Sequence, residues 1–80
     1  MDRTPERVED LRGEVCPYTF VKAKLALEEM EHGEMLAILV DHDKATVNVP
    51  RSFEREGHEV AEVRGVGPGV WEIRIVKVES

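Results

Sequence analysis

Cys16 is the one cysteine in the chain, and it stands in the run Asp10-Leu11-Arg12-Gly13-Glu14-Val15-Cys16-Pro17-Tyr18-Thr19, directly ahead of a strongly helical stretch. A single thiol cannot close an internal disulfide. At a helix N-terminus it can serve as a nucleophile or a carrier, because unpaired backbone N–H groups and the helix dipole favour the thiolate there. Pro17 suits the first helical turn, where its missing N–H costs nothing. Cysteines are also common as small buried core residues, and position alone leaves both readings open. Arg12 and Lys22 are near in sequence, and Arg51 approaches through the second helical segment. Each could lower the thiol pKa or meet a charged partner, and each also reads as a solubilising surface group. His42 is a candidate base, although an exposed loop histidine is the simpler reading.

Other chemistry finds little support. The three histidines have no metal-ligand spacing, and one cysteine adds little to them, so no metal site is expected. Gly65-Val66-Gly67-Pro68-Gly69 leads into a strand rather than a helix and has no lysine–hydroxyl pair after it, so it is a hairpin connector and not a phosphate loop. No Ser-His-Asp set stands out, and no pair can be singled out among seventeen acidic residues. An exposed thiol served by larger partner proteins fits eighty residues better than an enclosed substrate pocket does.

The bulk properties narrow the class. The formal charge is -6, from eleven basic and seventeen acidic side chains, which opposes direct binding to nucleic acid. It leaves room for an acidic carrier that docks on a basic protein surface. The longest apolar run, Met35 to Val40, is far too short to span a membrane. No basic segment leads into a long apolar stretch, so no secretion signal is expected. A reducing, cytoplasmic location follows from the cysteine usage.

The elements that must position Cys16 follow from periodicity. Residues 1–7 read as a flexible polar arm and 8–80 as one domain. Val8 to Arg12 reads as a short strand. Pro17 to His32 reads as a helix, with Phe20, Ala23, Leu27 and Met30 on one apolar face widened by Ala26, and Gly33 at its C′ position. Met35 to Val40, six apolar residues in a row, is a strand covered on both faces. Asp43 is a candidate N-cap for a second helix from Lys44. Pro50 should break it, leaving a short or kinked turn and a firmer segment from Pro50 to Glu56. His58 to Arg64 is a third strand and Val70 to Val78 a fourth, with Trp71, Ile73 and Ile75 on one face. The order β-α-β-α-β-β predicts a two-layer α/β sandwich: a mixed four-stranded sheet with two helices on one face. If the first two strands are parallel, the Cys16 loop and the Asp41-His42-Asp43 loop meet at one sheet edge. The Gly65 to Gly69 loop joins them if the third strand runs the same way.

With these residues in place, the chain resembles the TusA/SirA family of small sulfur-carrier proteins. The resemblance covers roughly Val8 to Val78. It rests on Asp10-Leu11-Arg12-Gly13 followed by Cys16-Pro17, the helix through Leu27-Glu28, Gly33 before the second strand, the Asp41 to Asn48 segment, and Gly57-His58-Glu59-Val60 with the terminal hairpin. It implies that Cys16 accepts persulfide sulfur from a cysteine desulfurase or another sulfurtransferase. Cys16 would then pass the sulfur to an acceptor protein, for tRNA thiolation or another sulfur pathway. Desulfurase partners use pyridoxal phosphate, but nothing suggests that this chain binds it, so no cofactor is expected. The family motif is Cys-Pro-x-Pro, and here Thr19 stands where the second proline is expected. Thr19 restores a backbone amide and adds a hydroxyl, which points to altered presentation of the thiol or altered partner choice.

Two rival readings remain. Loss of the second proline could accompany loss of transfer, leaving a noncatalytic interaction or regulatory module of the same fold. Cys16-Pro17-Tyr18 is also similar to the start of glutaredoxin motifs. Against that, the second cysteine is missing, the chain is short, and no cis-proline strand context follows.

Overall fold

The computed structural model describes residues 4–14 and 18–78; Cys16 and Pro17 lie outside the described residues. The elements in order are β1 (Arg7–Asp10), α1 (Tyr18–Glu28), β2 (Met35–Val40), α2 (Ala45–Arg55), β3 (Glu59–Gly67) and β4 (Val70–Val76). They build one four-stranded sheet in the order β1-β2-β4-β3. β1 lies parallel to β2, and β4 lies antiparallel to both β2 and β3. The first three strands therefore share one direction.

The unbroken apolar run of β2 places it centrally. Leu36, Ile38 and Val40 join Ile73 and Ile75 of β4 beneath Ala23, Ala26 and Leu27 of α1 and Ala45, Val49 and Phe53 of α2, in one buried cluster. Both helices thus cover the same sheet face, as the order of elements predicts. Phe53 is fully buried, with the ring of Phe20 edge-on at 4.9 Å. Truncating such a side chain costs about 3–5 kcal/mol. On the opposite face Ala37 is paired in register with Arg74. Arg74 is itself buried, with its Nε donating to Glu72 at 2.7 Å.

Several boundaries differ from the sequence reading. The first strand opens at Arg7, and Glu6 already bonds β2: its N–H donates to the Met35 carbonyl at 2.9 Å. α1 ends at Glu28, four residues before His32, because the chain turns Met30 into the core. Lys77 then supplies the donor for the freed carbonyls, its Nζ reaching those of Glu28 at 3.3 Å and Met30 at 2.6 Å. α2 is unbroken through Pro50. The proline forgoes one helical bond in the middle of the helix, and its burial offsets that loss. The α2 cap is Lys44, without a side-chain bond. Asp43 contributes its backbone carbonyl instead, to the N–H and hydroxyl of Thr46. β3 runs on to Gly67 because the hairpin turn needs only Pro68 and Gly69. Gly69 takes the left-handed φ of 67°, as the second central residue of a type II turn requires.

Candidate functional site

The parallel β1–β2 pair brings two loops to one sheet edge. The Leu11 N–H donates to the Leu39 carbonyl at 2.9 Å, and its side chain closes the core at that end. The chain then turns, with the Glu14 N–H donating to the Leu11 carbonyl at 3.2 Å. Gly13 adopts φ 88° there, a conformation that costs glycine little. The Gly13 N–H donates to Asp41 Oδ2 at 3.0 Å, so the loop after β2 anchors the loop that leads to Cys16. β3 runs in the same direction, and its last paired residue, Gly67, meets Val70. The Pro68-Gly69 turn therefore lies at this same edge, beyond β4.

Arg12 is committed to its own segment. Its guanidinium forks onto Asp10 at 2.8 and 2.7 Å, and its N–H reaches the same carboxylate at 3.1 Å. The side-chain bond from Arg12, then the backbone bond, hold the Asp10 carboxyl down at about 2, and the same partner raises the Arg12 guanidinium. Thr19, in the first turn of α1, is buried at 3 % exposure, and its Oγ1 donates to the Glu14 carbonyl at 3.3 Å. Lys22 pairs with the Glu14 carboxylate. Of the candidate cations, then, Arg12 and Lys22 meet at this loop. Arg51 is an exposed residue of α2, and no bond among the described residues joins it to the loop. His42 is exposed too, with Nδ1 3.8 Å from Asp43.

Glu14 and Asp41 are the loop-anchoring positions that sequence reasoning undervalued. Asp41 carried a weak signal, as the residue that ends the apolar strand. Glu14 carried almost none, since its partners are recognisable only once α1 is wound. The solvent side of α1 is also less polar than its charges suggest, for Tyr18, Val21 and Leu25 are exposed along one line of the helix.

A shallow groove of about 340 Å³ runs between β1 and α1 beside this loop, lined by Asp10, Leu11, Lys22 and Leu25 among others. A groove of about 350 Å³ at the other end includes Lys24, Glu56, His58 and Lys77. Its cations are already engaged, Lys24 with Glu56 at 3.1 Å and Lys77 with the helix carbonyls. Among the described residues no group of three or more His, Cys, Asp or Glu side chains could hold a metal ion, and no helix is long and apolar enough to cross a membrane.

Comparison with known proteins agrees with this geometry. Residues 7–77 match the family of the sulfurtransferase TusA. A protein of Archaeoglobus fulgidus, named provisionally as a sulfur carrier, is 56% identical over 68 residues, covering 85% of this chain and 77% of its own. A similarly named protein of Thermotoga maritima is 42% identical over 66 residues, covering 82% and 84%. The crystal structure of a SirA-like protein from Desulfitobacterium hafniense superposes with a TM-score of 0.80 at 35% identity, over 91% of this chain and 99% of that one. Family match, relatives and shared fold agree along nearly the whole described chain: it belongs to the TusA/SirA family.

Proposed function

We propose that this protein is a small sulfur carrier that accepts persulfide sulfur on Cys16 and relays it to an acceptor protein. The observation that carries the reading is the family match over residues 7–77, which includes the chain's one cysteine. The position of Cys16 two residues before α1 adds to it, since a helix N-terminus favours a thiolate. In the first step the Cys16 thiolate attacks the outer sulfur of a donor persulfide. The donor S–S bond breaks, the donor cysteine leaves as a thiolate, and Cys16 holds the added sulfur as a persulfide. In the second step an acceptor thiolate attacks that terminal sulfur and Cys16 leaves as a thiolate, so no net oxidant is consumed. Pro17 and Thr19 present the thiol, and Arg12, Lys22 and Arg51 are partner contacts or electrostatic aids. The donor is a cysteine desulfurase or another sulfurtransferase in the cytoplasm, and tRNA thiolation is one destination for the sulfur.

Incubation with a cysteine desulfurase and free cysteine, followed by intact mass spectrometry, tests the proposal. The expected result is one added sulfur atom on Cys16, removed by dithiothreitol and absent from Cys16→Ser. No adduct with competent donors would overturn the carrier reading in favour of an interaction module of the same fold. Turnover with oxidised glutathione would favour thiol exchange.

A further inference from the structure

A residue ahead of Cys16, Glu14, is bonded twice to the helix that follows. The Glu14 carbonyl accepts a bond from Thr19 Oγ1 at 3.3 Å, and the Glu14 carboxylate pairs with Lys22 Nζ. Both acceptors of Glu14 are therefore tied to α1 across residues 15–17. The Glu14 side chain is 25% exposed against 55% for Lys22, so the carboxylate is the less hydrated partner and the one that more needs its counter-charge. Thr19, the donor to the carbonyl, occupies the position where the family motif has a proline. A proline there carries no hydroxyl to make that bond, so this closure comes from the chain's own departure from the motif.

We infer that Glu14 is a positioning residue for sulfur transfer: its bond to Thr19 fixes the loop that presents Cys16, and its pairing with Lys22 cancels a negative charge two residues from the thiol. The inference rests on the reading of Cys16 as the sulfur-bearing residue. The remaining charges of this loop and of the elements that meet it are arranged separately. Asp10 and Arg12 form their own fork, Asp41 accepts the Gly13 N–H, and His42, Asp43 and Lys44 lie on the exposed turn into α2. Glu14 with Lys22 is thus the pair whose balance acts on residue 16 through one short stretch of chain. A bare carboxylate opposes thiolate formation. One uncompensated charge two residues along the chain is expected to move a thiol titration by about half a pH unit, and by less at high salt.

The test is the rate of Cys16 alkylation by iodoacetamide against pH, at low ionic strength, on the full chain. Lys22→Met is expected to raise the titration midpoint by about half a unit and Glu14→Gln to lower it similarly. The double variant should return close to the parent value, and molar salt should shrink every shift. For the other half of the device, Thr19→Val should change the rate of sulfur loading severalfold without moving the midpoint, while Thr19→Ser retains the parent rate. Coincident midpoints for the parent and both single charge variants overturn the charge role of Glu14, and equal loading by Thr19→Val and parent overturns its closing role. Desulfurase loading of the parent, measured alongside, separates the two readings. Shifted midpoints in a chain that never loads sulfur would overturn the carrier reading alone, and a chain that loads normally without shifts would overturn only the inference about Glu14.

Discussion

The two ends of the sheet lean on backbone and side-chain bonds to different degrees. At the end away from Cys16 backbone pairs run alongside side-chain ties, with Glu6 Oε2 accepting the Met35 N–H at 2.6 Å and His58 Nδ1 the Val78 N–H at 3.1 Å. Glu6 N–H meets the Met35 carbonyl at 2.9 Å, Gly33 N–H the Lys77 carbonyl at 2.8 Å, and Lys77 N–H the Glu34 carbonyl at 2.9 Å. At the loop end the ladder stops with Leu11 and Leu39, and side chains take over: Asp41 on Gly13, Thr19 on Glu14, Lys22 on Glu14, Arg12 on Asp10. Backbone bonds survive almost any substitution, whereas each side-chain tie can be removed or exchanged by one. The loop end, where the backbone ladder has stopped, is therefore the end that single substitutions can tune most, and the opposite end keeps a backbone frame beneath its side-chain ties.

Among the ties at the two ends, Lys77 offers the largest effect on stability. Its Nζ bonds two carbonyls at the far end, and Lys77→Met keeps its apolar stem while removing the donor to those of Glu28 and Met30. Hydrogen bonds to charged groups contribute roughly 1.5–3 kcal/mol, and the partial exposure of this one places the expected loss in urea unfolding at about 1–2 kcal/mol. Sulfur loading should stay at the parent rate. A variant with normal stability and impaired loading would break the contrast between the ends.

Thr19→Pro and Asp41→Ala probe the loop end. Proline is tolerated in a first helical turn, so Thr19→Pro should leave circular dichroism intact while loading changes about fivefold, equivalent to about 1 kcal/mol in the barrier. Unchanged loading would show that the departure from Cys-Pro-x-Pro has no functional weight. Asp41→Ala frees the exposed Gly13 N–H, which water can reach. Its expected cost is smaller, about 0.5 kcal/mol in stability, with a loading change of about twofold. A loss of several kcal/mol in unfolding would instead make Asp41 part of the core support.

This contrast also explains what could be read from the sequence. β2 was legible to the residue because six apolar side chains in a row have few alternatives, and with it came the parallel β1–β2 pair and the shared edge of loops. Pro50 misled because a local rule about helix breaking carries no knowledge of the buried surface waiting for the ring. Gly33 looked like the end of α1, but the true C-terminal partner, Lys77, lies almost fifty residues on, where no local pattern reaches. At the site, Arg12 and Lys22 were visible as charges but not as pairs. Their partners are set by a tight turn in one case and by the winding of α1 onto Glu14 in the other. Cys16 is singled out by the sequence alone and lies outside the described residues, whereas the ties of Glu14 needed the fold.

The smallest expected effect is the sharpest reading of how firmly the loop end is held. The Asp10 carboxyl lies at about 2 against its ordinary 3.8 because Arg12 binds the carboxylate through side chain and backbone. A depressed folded-state value means that the charged form is the one the fold favours. Its contribution is therefore complete above about pH 4, and it is lost as pH falls from there through about 2. Asp10 is exposed, so global unfolding is a poor gauge of it, and a carboxyl titration by NMR is the direct one. The parent should titrate near 2 at Asp10, and Arg12→Ala should bring it back toward 3.8. A parent midpoint already near 3.8 would mean that the fork opens in solution. The loop would then hang on Asp41, Thr19 and Lys22 alone, and the difference between the two ends of the sheet would be larger still.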